Sequence, residues 1–165
     1  MTVYGDLRPE EQRLLTDALR AASVVIAVAS PGRKEETASE GFGAAAFILD
    51  SRAAQVANPL VSSIILALDQ AARTEGRFPD FLGLVGAPDA RARSLQVLHQ
   101  AAALADAIAT PEEAAGYKRW LLDIAAVTAQ AGKEEQGFLG RGGVLVNEAE
   151  RAALDDVAEA LGLTG

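Results

Sequence analysis

The sequence contains no cysteine and one histidine, and aromatic residues make up only 5% of its 165 residues. The absence of cysteine excludes disulfide bonds, thiol nucleophiles, zinc–thiolate sites and iron–sulfur clusters. It is also compatible with the cytoplasm, which is where we expect the protein to work. Because half of the residues are hydrophobic but few are aromatic, alanine, leucine, valine and isoleucine must fill the core. Alanine is the best helix former, so this composition favours closely packed helices.

Positive charge is scarce as well, with 15 basic residues against 23 acidic ones and a net charge of −8. An acidic chain repels phosphate backbones and anionic lipid surfaces, so we expect no nucleic-acid partner. The N-terminal sequence lacks the pattern of a signal peptide, and the longest apolar run, ASVVIAVA, is too short to span a bilayer. We therefore expect no membrane insertion. The partners that remain are a cation, another protein or a second copy of the chain.

Helix signals dominate the sequence, and strand signals are weak. Asn58 before Pro59 marks a helix start, Thr110 and Glu113 form a capping box, and Gly76 marks a helix end. The predicted helical segments are residues 8–30, 34–50, 58–76, 88–109, 110–132 and 147–163. The sequence therefore predicts an all-α fold, a single-domain bundle of about six helices that spans residues 1–165.

Two segments of the chain resemble each other, AVASPGRKEETASEGFG (27–43) and VTAQAGKEEQGFLG (127–140). Each has an apolar helix followed by a glycine, then Lys-Glu-Glu, then Gly-Phe. This faint repeat predicts that the helices of residues 34–50 and 110–132 pack against each other. Their two Lys-Glu-Glu sequences would then lie close together.

Helical periodicity predicts which of these glutamates face the core. If the helix of residues 110–132 continues beyond its predicted end, Glu135 shares a face with the apolar Ile124 and with Thr128. By the same spacing, Glu36 and Glu40 share the face of segment 34–50 that also carries Ala44 and Phe47. Three carboxylates would then point inward from two helices.

Carboxylates inside a bundle need a cation, a hydrogen-bond donor or a proton. One interpretation of Glu36, Glu40 and Glu135 is a metal site that holds a divalent cation in the bundle. A second is that these side chains reach solvent and pair loosely with Lys34 and Lys133, which contributes little to stability. A third is a structural Lys–Glu network. The sequence leaves all three interpretations open.

Three further residues are candidates for chemistry. His99 is the only histidine, and its place in segment 88–109 predicts a side chain that lies half in the core. Tyr117 and Trp120, one helical turn apart, are predicted to pack in the core and not to stack on a ligand.

Residues 118–163 resemble the end of a TerB-like repeat. The resemblance consists of an apolar helix, a polar loop, Val-x-x-x-Glu, a leucine and a closing Ala-Leu-Gly-Leu. The TerB-like family is all-helical and is associated with bacterial tellurite resistance and general stress. Its loop usually carries an Asp-Gly pair linked to metal binding. Here the loop reads GRGGVLVNEAE, with Arg141 among glycines, and the matching acidic positions are Glu148 and Glu150.

The resemblance implies a non-catalytic bacterial stress-response protein that binds a cation or a protein partner. The lack of cysteine and the single histidine also lower the expectation of catalysis. Two alternatives remain. The first is a metal-dependent enzyme that uses the carboxylate cluster as ligands or as acid–base groups. The second is an oligomeric interaction module, which an exposed apolar patch on the first or last helix would favour.

Overall fold

The computed structural model describes residues 1–29, 57–76, 88–137 and 148–164, with the backbone alone for residues 131–137. A 3-10 turn, Tyr4–Asp6, precedes five α-helices. The helices are α1 (Pro9–Ala29), α2 (Pro59–Glu75), α3 (Ala90–Ile108), α4 (Pro111–Gly137) and α5 (Glu148–Ala160). The described residues contain no strand, which confirms the all-α fold. The predicted helix of residues 34–50 lies outside the described residues, so the sixth helix and the single domain over residues 1–165 stay predictions.

The observed helix boundaries follow local sequence signals. The Asn58 side chain accepts the backbone N–H of Val61 at 3.1 Å and so caps the start of α2. Gly76 ends α2 and Gly162 follows α5, both with positive φ, at 63° and 69°, a conformation that glycine adopts without steric cost. The predicted caps at Asn58 and Gly76 are therefore confirmed.

Helix α1 is the central helix of the described part of the chain. It packs on α3, α4 and α5, and all residues from 21 to 27 are buried. This second half of α1 is buried on all sides and lies in the core, whereas the first half keeps a polar face that includes the exposed Arg13. None of the described helices combines the length and the hydrophobicity that crossing a bilayer requires.

The largest side chains of the core lie on α4. Tyr117 and Trp120 are fully buried, and their ring centroids are 6.5 Å apart. The Tyr117 hydroxyl donates a 2.8 Å hydrogen bond to the backbone carbonyl of Leu15 on α1, so its buried polar atom is satisfied. The prediction that both rings are core residues is confirmed.

Helix α2 packs on α4 and on the 3-10 turn. The backbone N–H of Tyr4 donates to the Ser63 hydroxyl at 2.9 Å and ties that turn to α2. On the other side of the bundle, Arg91 of α3 pairs with Asp156 of α5. Among the described residues, one cavity lies between α1 and α2 and another between α1 and α3, and these two cavities form the candidate site described below.

Candidate functional site

The predicted acidic cluster falls mostly beyond what the structure describes. Glu36 and Glu40 lie outside the described residues, and of Glu135 only the helical backbone in α4 is described. Within the described ranges, no three histidine, aspartate or glutamate side chains are grouped so that they could hold a metal ion. The cation site at Glu36, Glu40 and Glu135 therefore stays a prediction.

The backbone of α4 meets the condition on which that prediction depends. The helix does not end near Gly132, as the sequence suggested, but continues to Gly137. Ile124 and Thr128, the first two members of the stripe that leads to Glu135, are both fully buried. The stripe is thus core-facing as far as Thr128.

This face of α4 carries a buried pair of hydroxyl groups that the sequence analysis missed. Ser23 of α1 and Thr128 have their oxygen atoms 3.0 Å apart, and both residues are buried. The Thr128 hydroxyl donates to the Ile124 carbonyl at 2.8 Å, so the Ser23 hydroxyl is the donor to Thr128. The core between α1 and α4 therefore contains a polar contact at Thr128, about two helical turns before Glu135 on the same face of α4.

If Glu135 ligates a divalent cation together with Glu36 and Glu40, added Mg²⁺ or Mn²⁺ should raise the melting temperature. A tenfold excess over the dissociation constant corresponds to about 1.4 kcal/mol of stabilisation. Glu135→Gln should abolish this gain, because an amide is a poorer ligand for a hard cation. Glu134→Gln is the matched control, since position 134 lies about 100° away around the helix. Melting curves that do not respond to saturating metal would leave the two ion-pair interpretations.

Among the described carboxylates, Glu113 in the first turn of α4 has the largest shift in pKa. Its carboxylate accepts the backbone N–H groups of Thr2 at 2.9 Å and of Thr110 at 3.0 Å. These two donors, the Thr2 N–H first, lower the pKa of Glu113 from 4.5 to about 2, although burial alone would raise it. The Thr2 hydroxyl lies 3.2 Å from the same carboxylate and 3.1 Å from the carbonyl of Ile108. Glu113 is thus an ionised structural anchor and is poorly suited to proton transfer.

Glu113 also connects the start of α4 to the start of α2. The Asn58 amide, which caps α2, donates to the backbone carbonyl of Glu113 at 3.0 Å. A Cβ atom at Gly116, one turn further along α4, would overlap the Asn58 amide nitrogen. Glycine at position 116 therefore leaves room for the Asn58 side chain against α4.

The prediction for His99 is wrong. His99 is exposed, whereas Leu98 is fully buried. The buried stripe of α3 consists of Ala90, Ser94, Leu98, Ala101, Ala102 and Ala105. Each residue advances about 100° around a helix, so His99 falls outside this narrow stripe.

Two cavities lie beside α1, and together we call them the α1 groove. It consists of a cavity of about 170 Å³ between α1 and α3 and a cavity of about 560 Å³ between α1 and α2. Asp17 and Arg20 line both cavities. The larger cavity is also lined by Tyr4, Arg13, Thr16, Leu68, Ala71 and Glu75. Its volume lies in the range of small-molecule sites.

The charges along the α1 groove differ in whether they are paired. Arg20 pairs with Asp17 at 3.1 Å, where the two cavities meet. Arg93, which lines the smaller cavity, pairs with Asp89 outside it at 3.3 Å. Arg13 and Glu75 line the larger cavity and are exposed, and neither makes an ion pair with another described residue.

The sequence does contain a trace of this groove. Arg13, Thr16, Asp17 and Arg20 are spaced i, i+3, i+4 and i+7 on α1, which puts four polar side chains on one face. The same spacing is typical of any solvated helix face. Only the positions of α2 and α3 make it one wall of a groove, and those positions depend on contacts distant in sequence.

Comparison of the chain with protein-family models, with curated proteins and with solved structures finds no match in any of the three. The resemblance of residues 118–163 to TerB-like repeats therefore remains a proposal about family. The described helices and the α1 groove are the observations from which a function can be argued.

Proposed function

We propose that the protein is a non-catalytic cytoplasmic helical protein that binds its ligand or partner in the α1 groove. A role in bacterial stress response, as the TerB-like resemblance implies, belongs to the same proposal. The observation that carries it is the pair of cavities that meet at Asp17 and Arg20. Binding sites in helical proteins are commonly built from side chains on facing helices, and this groove has walls from α1, α2 and α3.

The paired charges of the groove fit binding better than catalysis. Arg20 holds Asp17 at 3.1 Å, so this carboxylate already has a cationic partner. Thr16, also in the groove, has its hydroxyl 3.0 Å from the backbone carbonyls of both Gln12 and Arg13, to which it donates. Such groups can orient a ligand through their remaining acceptor sites while staying chemically inert.

The oligomeric alternative has less support in the described residues. The large hydrophobic side chains that are exposed there are Met1 and Leu66, at 90% and 61%. Neither belongs to α1 or α5, which are the first and last helices of the described ranges. Single exposed apolar side chains are common on monomeric proteins, so neither argues for self-association.

A fluorescent label at position 71 tests the proposed site. Because the chain has no cysteine, Ala71→Cys can be labelled uniquely with a dye sensitive to its environment. Ala71 lines the larger cavity, whereas the neighbouring Gln70 is exposed and does not, so Gln70→Cys is the matched control. We expect at least one probe among amino acids, short peptides, divalent cations and nucleoside phosphates to shift the emission at position 71 but not at 70.

Three results would contradict the proposal. The first is that no probe shifts the emission of the label at position 71. If every probe that acts shifts both labels equally, binding does not occur in the groove. If the bound probe is recovered chemically altered, as judged by mass spectrometry, the metal-dependent enzyme becomes the better hypothesis.

A further inference from the structure

We infer that the larger cavity of the α1 groove binds a short zwitterionic ligand, a small peptide or amino acid with a free ammonium group and a free carboxylate. This inference rests on the proposed function and adds the chemical class of the ligand. It begins from two opposite charges, Arg13 on the α1 wall and Glu75 on the α2 wall. Among the described residues, neither has an ion-pair partner, in contrast to Asp17 and Arg20, which line the same cavity and pair with each other at 3.1 Å.

The carboxylate of such a ligand fits Arg13. A guanidinium group presents parallel N–H donors that match the two oxygens of a carboxylate. Arg13 is exposed and lies on the polar stripe of α1, so a ligand can reach it without rearrangement of the core.

The ammonium group fits the α2 wall of the cavity. Glu75 is the last residue of α2, and the carbonyl groups of a final helical turn carry partial negative charge. The Glu75 carboxylate adds a full negative charge at the same place. A cation is therefore favoured there by two features, of which only one depends on the Glu75 side chain.

The cavity also has apolar lining. Leu68 and Ala71 line it together with the charged side chains, and Leu68 is 8% exposed. A tripeptide extends up to about 10 Å, which is suitable for a cavity of about 560 Å³. Two arginines and two carboxylates line this cavity, so its own charge is close to zero, which suits a zwitterion better than a nucleotide with several negative charges. The net charge of −8 also disfavours a nucleotide.

Trialanine and its blocked forms, titrated into the full chain and followed by calorimetry, test this inference. We expect wild type to bind trialanine with free termini. N-acetyl-trialanine and trialanine amide should each bind about fivefold more weakly, because each loses one exposed ion pair. Arg13→Gln should remove the preference for the acid over the amide and keep the preference for the free amine. Glu75→Gln should do the reverse.

Arg73→Gln is the matched control for these variants. Arg73 is an exposed residue of α2 that pairs with Asp69 at 3.1 Å and does not line the cavity. It should keep both preferences. All three substitutions are at exposed positions, and circular dichroism can verify that each variant is folded.

The inference is overturned if the doubly blocked peptide binds as tightly as trialanine, or if Arg13→Gln still distinguishes acid from amide. It is also overturned if no free peptide binds at millimolar concentration. In each case the proposed function stands when some other probe shifts the label at position 71 alone. The inference and the proposed function fail together when no probe of any class shifts the label at position 71 alone.

Discussion

Glu113→Gln is expected to lower the free energy of unfolding by about 2–3 kcal/mol at neutral pH. The difference between the ordinary pKa of 4.5 and the folded pKa of about 2 corresponds to roughly 3 kcal/mol of preference for the ionised form. A neutral amide oxygen still accepts a hydrogen bond from Thr2 or Thr110, but more weakly than a carboxylate. The amide NH₂ would also face these same donors.

The stability that Glu113 contributes should also depend on pH, in a direction set by its lowered pKa. Because folding lowers the pKa of Glu113, its contribution is fully present above pH 4.5 and is lost as the pH falls towards about 2. Urea unfolding of wild type over this range should therefore show a loss of stability that Glu113→Gln lacks. Glu112→Gln, at the exposed neighbouring position, should behave like wild type. If the two variants have the same acid dependence, the Thr2 and Thr110 hydrogen bonds do not hold Glu113 ionised.

Half of the Glu113 site could be predicted from the sequence. The capping box of Thr110 and Glu113 is a local pattern, and the structure confirms it in both directions, with the Glu113 N–H donating to the Thr110 hydroxyl at 3.3 Å. The bond from Thr2, which has the largest effect on the pKa, spans 111 residues of sequence. No spacing rule predicts such a contact, because it depends on how the 3-10 turn and its neighbours pack.

Helix starts were predicted more accurately than the end of α4. Prolines and cap residues define a start within one or two positions, as at Pro59 and Pro111. At Gly132 the sequence suggested an end, yet α4 continues to Gly137. A glycine inside a helix costs about 1 kcal/mol, and the following Lys-Glu-Glu-Gln consists of good helix formers. One unfavourable residue was therefore insufficient to end the helix.

The α1 groove shows why a site is harder to predict than a fold. Its α1 wall is a polar stripe that resembles an ordinary solvated face, and its other walls come from α2 and α3. The exposure of His99 has a similar origin, since a shift of one position separates it from the fully buried Leu98. Periodicity predicts that a helix has an inner face, but packing determines how wide that face is.

Gly116→Ala is expected to destabilise the protein by about 1 kcal/mol, even though alanine is the better helix former by about 1 kcal/mol. The new methyl group would overlap the Asn58 amide nitrogen. Asn58 would have to move, and its bonds to the Glu113 carbonyl and to the Val61 N–H would be lost together. A lost N-cap costs about 1 kcal/mol, and a buried hydrogen bond contributes a similar amount.

A double-mutant cycle with Asn58→Gly separates this overlap from a general intolerance of alanine. Glycine is an acceptable N-cap and removes the side chain that the methyl group would meet. On the Asn58→Gly background, Gly116→Ala should therefore be neutral or stabilising, by up to about 1 kcal/mol of helix propensity. Chemical unfolding of the four proteins provides the measurement. If Gly116→Ala is as stable as wild type when Asn58 is present, the Asn58 side chain does not occupy the space beside position 116. If it is equally destabilising with and without Asn58, the cost arises from another neighbour of position 116.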